Sequence, residues 1–132
     1  MPSNAHFYEP SRGHELPHNP FKAIVGPRPI GWISSRDREG RLNLAPYSFF
    51  NAFADTPPII GFSSSGYKDS VRNIEATGEF CWQLSTRALA EAMNQSSASV
   101  AAEVDEFELA GLTSQASRVV GVPHVKEAQV VF

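Results

Sequence analysis

The sequence IGWISSRDREGRLNLAPYSFF at residues 30–50 decides the fold, because it holds two β-like segments on either side of a polar tip. Residues 30–35 combine aromatic, β-branched and small side chains, which favour a strand. Residues 36–40 are mostly charged and end in glycine, which suits a hairpin loop of about five residues. Residues 41–50 are predicted to return as a second strand, with an interruption or bulge at Pro46.

The flanking sequence predicts further short elements. Two more strands are expected at residues 59–63 and 79–84, and the prolines within residues 55–58 mark a stop before the first of them. Helices are expected at residues 71–76 and 87–94. Their candidate N-caps are Asp69 or Ser70 for the first helix, and Ser85 or Thr86 for the second. Short strands, tight turns and few helices indicate a mainly β fold with an antiparallel sheet that closes or folds on itself.

The chain has 132 residues, which allows one domain. Residues 1–20 are predicted to form an N-terminal arm, because four prolines in this stretch oppose a regular helix. Residues 21–132, which begin apolar and β-like, are predicted to be the N-terminal portion of a single domain. Residues 129–132 look like the opening of a strand, whose free edge is a poor natural terminus, so truncation at the C-terminus is expected. The alternative is a natural end packed into the core.

Composition excludes several classes of function. The chain has 11 Lys and Arg against 14 Asp and Glu, for a net charge of −3, and no basic run that would bind nucleic acid. A single cysteine excludes an intramolecular disulfide framework and a cysteine-based metal site. His14 and His18 lie among prolines and are interpreted as loop residues, so no metal is expected. No signal sequence or apolar run suited to a membrane is present, and a cytoplasmic location is therefore expected.

The segment GFSSSGYKDS at residues 61–70 resembles a P-loop without matching it, since Tyr67 separates the second glycine from Lys68. It still combines hydroxyl groups, a lysine and the start of a helix. Free N–H groups at a helix start attract anions, so this segment is a candidate anion site. The alternative is a solvated serine loop in which Asp69 or Ser70 only caps the helix.

The segment NLAPYSFFN at residues 43–51 is the least regular part of the predicted hairpin. Polar side chains interrupt an apolar strand, and Pro46 frees backbone groups from regular pairing. Unpaired backbone groups beside aromatic rings would suit a flat heteroaromatic ligand. The alternative is that the aromatic side chains belong to the core around a bulge.

Five segments, in this order, resemble the flavin reductase-like, FMN-binding split-barrel family, which includes flavoredoxin-type proteins and small flavin reductases. They are PRPIGWISS (27–35), NLAPYSFFN (43–51), DTPPIIGF (55–62), KDSVRNI with TGEF (68–74 and 77–80), and EFELAGLT (106–113). The likeness runs from about residue 21 to the C-terminus. Members of the family continue beyond the position of Phe132 with further strands, which supports the expectation of truncation.

The resemblance implies a six-stranded split barrel, usually a homodimer, with FMN at the subunit interface. Its site residues fall into three groups. Near the flavin phosphate or ribityl chain it implies Ser34 and Ser35. Along the isoalloxazine ring, largely through backbone groups, it implies Asn43, Ala45, Tyr47, Ser48, Phe49, Phe50 and Asn51. At the phosphate it implies Lys68, Asp69 and Ser70.

The function implied by the resemblance is hydride transfer from NAD(P)H to flavin, by an FMN-dependent NAD(P)H:flavin oxidoreductase. No catalytic side chain is predicted, because the cofactor carries the chemistry. Two alternatives remain open: an FMN-binding electron carrier without reductase turnover, and a non-flavin β-barrel interaction module. The expected partners are a flavin, a nicotinamide nucleotide and a second copy of the chain.

Overall fold

The computed structural model describes residues 4–132, so the first three positions of the predicted arm lie outside it. The strands are β1 (Gly31–Arg36), β2 (Leu42–Tyr47), β3 (Phe50–Asp55), β4 (Pro58–Phe62), β5 (Cys81–Gln83), β6 (Ser114–Gln115) and β7 (His124–Val125). The α-helices are α1 (Pro20–Ile24), α2 (Asp69–Thr77), α3 (Ala90–Gln95) and α4 (Glu106–Leu109). Short 3-10 turns occupy Pro10–Arg12 and Arg87–Leu89.

A three-stranded antiparallel sheet in the order β2-β1-β5 forms the centre of the molecule. The predicted hairpin is confirmed, with Gly31 opposite Tyr47 at its open end. The backbone N–H and C=O groups of Trp82 in β5 each bond to Phe132 at 2.9 Å. The strand opening expected at residues 129–132 therefore pairs along β5.

The second strand of the hairpin differs from the prediction of one interrupted strand over residues 41–50. Strand β2 ends at Tyr47, and after a two-residue break β3 begins in a separate sheet with β4. Pro46 does not interrupt β2, since it lies opposite Trp32 within the ladder. Because β2 is at the edge of its sheet, a proline without an N–H group is tolerated there.

The β3–β4 hairpin turns at the predicted stop over residues 55–58 and leaves much of its surface open. Phe53 is 71% exposed, and Ile59 is also exposed. At the base of the hairpin, the Phe50 ring packs against Gly31, where an added Cβ would lie only 2.9 Å from Phe50 atoms. Gly31 therefore lets the hairpin approach the central sheet.

The N-terminal region corrects the expectation of a β-like chain from residue 21. Helix α1 begins at Pro20, and Asn19 Oδ1 accepts hydrogen bonds from the backbone N–H groups of Phe21 and Lys22. Proline is well suited to the first position of a helix, where its missing N–H costs nothing. An asparagine cap followed by proline outweighs the β propensity of the apolar residues that follow.

The two predicted central helices are confirmed, with different starts. Helix α2 begins at Asp69 with Lys68 as its N-cap and no side-chain cap bond, so neither Asp69 nor Ser70 caps it. The second predicted helix is a 3-10 turn followed by α3, and Thr86 precedes the turn without a side-chain cap bond. Neither segment therefore begins with the capping hydrogen bond that the sequence suggested.

The core lies between the central sheet and α4, in a cluster of Trp32, Leu44, Phe107 and Val125. Gln83 is fully buried beside it. Its Nε2 donates to the carbonyls of Trp32 at 2.9 Å and Cys81 at 3.2 Å, and its Oε1 accepts from the Val125 N–H at 3.2 Å. This side chain therefore joins three segments of the fold through buried hydrogen bonds.

Candidate functional site

A cleft of about 300 Å³ opens between β2, the start of α2 and the loop after α3. Six of the predicted site residues line it: Asn43, Ala45, Tyr47, Lys68, Asp69 and Ser70. The other lining residues are Pro46, Ser96, Ser97, Ala98, Ser99, Val100 and Glu106. Two segments that the sequence suggested separately, the strand around Pro46 and the start of α2, thus face one cleft.

The start of α2 supplies the basic edge of this cleft. The helix has nine residues, and the first N–H groups of an α-helix have no intrahelical partners. No side-chain cap occupies them here. Asp69 pairs with Arg72, three residues later on the same helix. Within residues 4–132, Lys68 forms no ion pair, and the residue is exposed. An unpaired lysine beside free backbone N–H groups favours the binding of an anion at this point.

Buried amide and hydroxyl groups fix α2 against the central sheet. Asn43 Nδ2 donates to Ser70 Oγ at 2.8 Å, which joins β2 to the first turn of α2. Asn73 Nδ2 donates to Ser35 Oγ at 3.2 Å, which joins the same helix to β1. The position of the helix start relative to β2 is therefore set by side-chain hydrogen bonds.

The remaining predicted residues lie outside the lining of this cleft. Ser34 and Ser35 are fully buried, and Ser34 Oγ lies 2.7 Å from the carbonyl oxygen of Pro123 and 3.1 Å from Gln83 Oε1. The two side chains point to opposite faces of β1. Both are buried because α2 covers Ser35 through Asn73, and the segment at Pro123 covers Ser34. Their contact with a ligand stays a prediction.

The residues after β2 form a separate aromatic region. The Phe50 ring stacks on Trp82 with a centroid distance of 5.6 Å, and the Arg28 guanidinium lies 4.9 Å from the centre of the Phe49 ring. Ser48 and Asn51 are exposed. The predicted residues Ser48, Phe49, Phe50 and Asn51 follow the end of β2. Their contact with an isoalloxazine ring also stays a prediction.

Sequence reasoning missed the serine-rich loop after α3. Ser96 is buried, and the Trp32 Nε1–H donates to its Oγ at 3.0 Å. The Ser96 hydroxyl donates to the carbonyl of Met93 at 2.6 Å. The core thus holds the loop that carries Ser97 and Ser99 against the cleft. The cluster of serines was a visible signal, although nothing in the sequence placed it in the same cleft as Lys68.

Sequence reasoning also missed Glu106 as a site residue. Only 6% of this residue is exposed, and its Oε2 accepts a hydrogen bond from the Leu44 N–H at 3.3 Å. Burial raises the pKa of the Glu106 carboxyl, and the nearby carboxylates of Asp105 and Asp69 act in the same direction. Within residues 4–132 no cation pairs with it. The cleft therefore has a basic rim and an acidic floor.

Comparison with known proteins places this geometry in a family. The profile of a family described as "Flavin reductase like domain" matches residues 26–132. An uncharacterized protein of Aquifex aeolicus (strain VF5) is 41% identical over 120 residues, covering 85% of this chain and 61% of that protein.

Two solved structures are similar. Nitrilotriacetate monooxygenase component B from Bacillus cereus is 38% identical, with a TM-score of 0.73 over 82% of this chain and 55% of that chain. A protein described as a flavin reductase with a split barrel domain, from Shewanella frigidimarina NCIMB 400, is 26% identical, with a TM-score of 0.80 over 85% and 57%.

This chain spans about three fifths of the length of the curated relative from Aquifex aeolicus. Across residues 4–132, no helix has the length and apolar character needed to cross a membrane. The resemblance drawn from the five sequence segments is confirmed, as is the mainly β, split-barrel fold. The match over residues 26–132 and the shared fold show that this chain belongs to the flavin reductase-like domain family.

Proposed function

We propose that this chain provides the FMN site of an NAD(P)H:flavin oxidoreductase located in the cytoplasm. The observation that carries this proposal is the cleft in which Lys68 and the uncapped start of α2 face strand β2. Family membership supports a flavin as the ligand, and the cleft provides the chemistry to choose among flavins.

The phosphate of FMN fits the basic edge of the cleft. The free N–H groups at the start of α2 and the helix dipole favour a dianion, and Lys68 adds a charge-assisted hydrogen bond. Ser70 lines the same point, with its position fixed by Asn43. Asp69 is neutralised by Arg72 and therefore opposes the phosphate less than a free carboxylate would.

The isoalloxazine ring is assigned to β2 and the residues that follow it. A volume of about 300 Å³ is at the lower end for ligand pockets, so the cleft suits the phosphate and ribityl chain, with the ring extending beyond it. As an edge strand, β2 has outward backbone groups without a strand partner. The Leu44 N–H is already bonded to Glu106 and Pro46 has no N–H, so the outward carbonyl groups are the ones available to the polar edge of a ring. Residues 48–51 would flank the ring at the end of this strand.

A flavin held by these residues would supply the chemistry, as the acceptor of a hydride from NAD(P)H. The chain's own residues would bind the phosphate at Lys68 and place β2 beside the ring. No proton-transfer residue is needed for the hydride step.

FMN added to the purified protein is expected to change its fluorescence and to co-elute with the protein on gel filtration. Oxidation of NADH and NADPH is then measured with FMN or FAD as acceptor, and turnover with at least one nucleotide is expected. Bound FMN without turnover would favour the electron carrier. A colourless protein that takes up no FMN would contradict the proposal and favour the interaction module.

The functional unit is proposed to be a homodimer. Large apolar side chains on the β3–β4 hairpin and α1 are exposed, including Phe53 and Phe21, and a second copy would cover them. Light scattering is expected to give twice the chain mass of 14.4 kDa. Phe53→Asp should shift the protein towards monomer, whereas Val119→Asp, at a site 95% exposed, should not. A monomer that binds FMN fully would contradict the proposal.

A further inference from the structure

We propose that Glu106 is the acceptor for the hydroxyl groups of the ligand's polyol chain, so that the cleft selects flavins that carry a ribityl chain. This inference rests on the proposed flavin site and adds to it the recognition of a second part of the ligand. It assigns a binding role to a buried carboxylate on the cleft floor.

The position of Glu106 allows such a contact. Glu106 lines the same cleft as Lys68. Its carboxylate accepts hydrogen bonds from the backbone N–H groups of Leu44 and of Glu106 itself, which leaves further lone-pair directions open. An ionised carboxylate accepts hydrogen bonds and donates none. A polyol supplies several hydroxyl donors in a row, which match an acceptor of this kind.

The charges in the cleft determine the orientation in which the ligand binds. Asp69 is paired with Arg72, whereas Glu106 has no cation partner within the described part of the chain. An unpaired carboxylate repels a phosphate, and Lys68 attracts one. The phosphate therefore belongs at the start of α2 and the uncharged hydroxyl groups belong at Glu106.

Burial makes this acceptor effective. A carboxylate removed from water without a cation is costly unless it is hydrogen-bonded, and two backbone N–H groups satisfy it only in part. Hydroxyl groups of a bound ligand would complete its hydrogen bonding. Charge-assisted bonds of this type are about twice as strong as neutral ones.

The structural alternative is that Glu106 only fastens α4 to β2 through Leu44. Glu106→Gln separates the two roles, because glutamine keeps an oxygen that accepts from the Leu44 N–H but removes the charge. Glu108→Gln, at an exposed position of the same helix, is the matched control.

The test measures the affinities of FMN, riboflavin and lumiflavin, which has the ring without a ribityl chain. Glu106→Gln is expected to weaken FMN and riboflavin binding by about tenfold and to leave lumiflavin unchanged, since only the charge-assisted hydroxyl contacts are lost. Glu108→Gln should leave all three affinities unchanged. Circular dichroism establishes that each variant is folded.

A pH series with riboflavin provides a second readout, because riboflavin has no phosphate to titrate. Since the pKa of Glu106 is raised, its charge should be lost at a higher pH than for an ordinary glutamate, and riboflavin affinity should fall with it. Lys68, Asp69 and Asp105 also face this region and remain in the Gln variant. The difference between the pH profiles of the wild type and of Glu106→Gln therefore measures the contribution of the Glu106 charge to riboflavin binding.

The outcomes are distinct. Losses confined to the two ribityl flavins, with a flatter pH profile in the variant, support the proposal. Equal losses for all three flavins would assign Glu106 to the fold alone, and unchanged affinities would remove it from the site; either result overturns the proposal. Wild-type protein that binds no flavin at all would overturn the proposed function itself.

Discussion

Replacing Gln83 by leucine is expected to lower the free energy of unfolding by about 3–5 kcal/mol, since several buried polar groups lose their partner at once. The amide joins the carbonyls of Trp32 and Cys81 to the N–H of Val125, and its Oε1 lies 3.1 Å from Ser34 Oγ. Leucine has similar bulk but offers none of these bonds. Urea unfolding followed by circular dichroism measures the change.

Gln95→Leu is the matched control for this prediction. Gln95 is exposed at the end of α3, so the same chemical change there should alter the unfolding free energy by only a few tenths of a kcal/mol. Coincident unfolding curves for Gln83→Leu and the wild type would show that the buried network contributes nothing to stability.

Lys68→Ala is expected to weaken FMN binding by about ten- to a hundredfold while leaving riboflavin binding nearly unchanged. The two flavins differ only in the phosphate, and the structure resolves the competing possibility that Asp69 holds the lysine, since Asp69 pairs with Arg72. Lys68 is exposed, so the effect should shrink as the salt concentration rises. Fluorescence titration of both flavins at two ionic strengths measures it.

Lys126→Ala, an exposed lysine outside the cleft lining, controls for the loss of one positive charge. It should leave both affinities unchanged. Equal losses of FMN and riboflavin in Lys68→Ala would mean that Lys68 supports the fold. No loss of either flavin would mean that it is a solvated surface charge and that the phosphate binds elsewhere.

The sequence predicted the central hairpin because its local signals agree: two β-like segments, a charged tip and a glycine. Strand β3 was missed because its residues alternate neither in polarity nor in burial, and most of them are exposed in the structure. Helix α1 was missed although Asn19 followed by Pro20 is a recognisable start signal. The apolar residues after it outweighed that signal in the interpretation.

The cleft was predictable where each part has a local signal. Residues 68–70 indicate a helix start beside a lysine, and residues 43–47 indicate an irregular strand; the structure brings the two together. Glu106 could not be predicted, because a carboxylate in the first turn of a helix is ordinary in sequence. Only the packing of α4 on β2 removes this one from water.

The bond from the Trp32 indole to Ser96 joins the centre of the core to the loop that borders the cleft. A mutational screen scored only by flavin binding would therefore mark Trp32 as important for binding, although its side chain is completely buried. The positions that such a screen marks as important for binding would therefore extend from the cleft into the core along this hydrogen bond. Separating contact from support at these two positions requires abundance and binding to be scored in parallel for every variant.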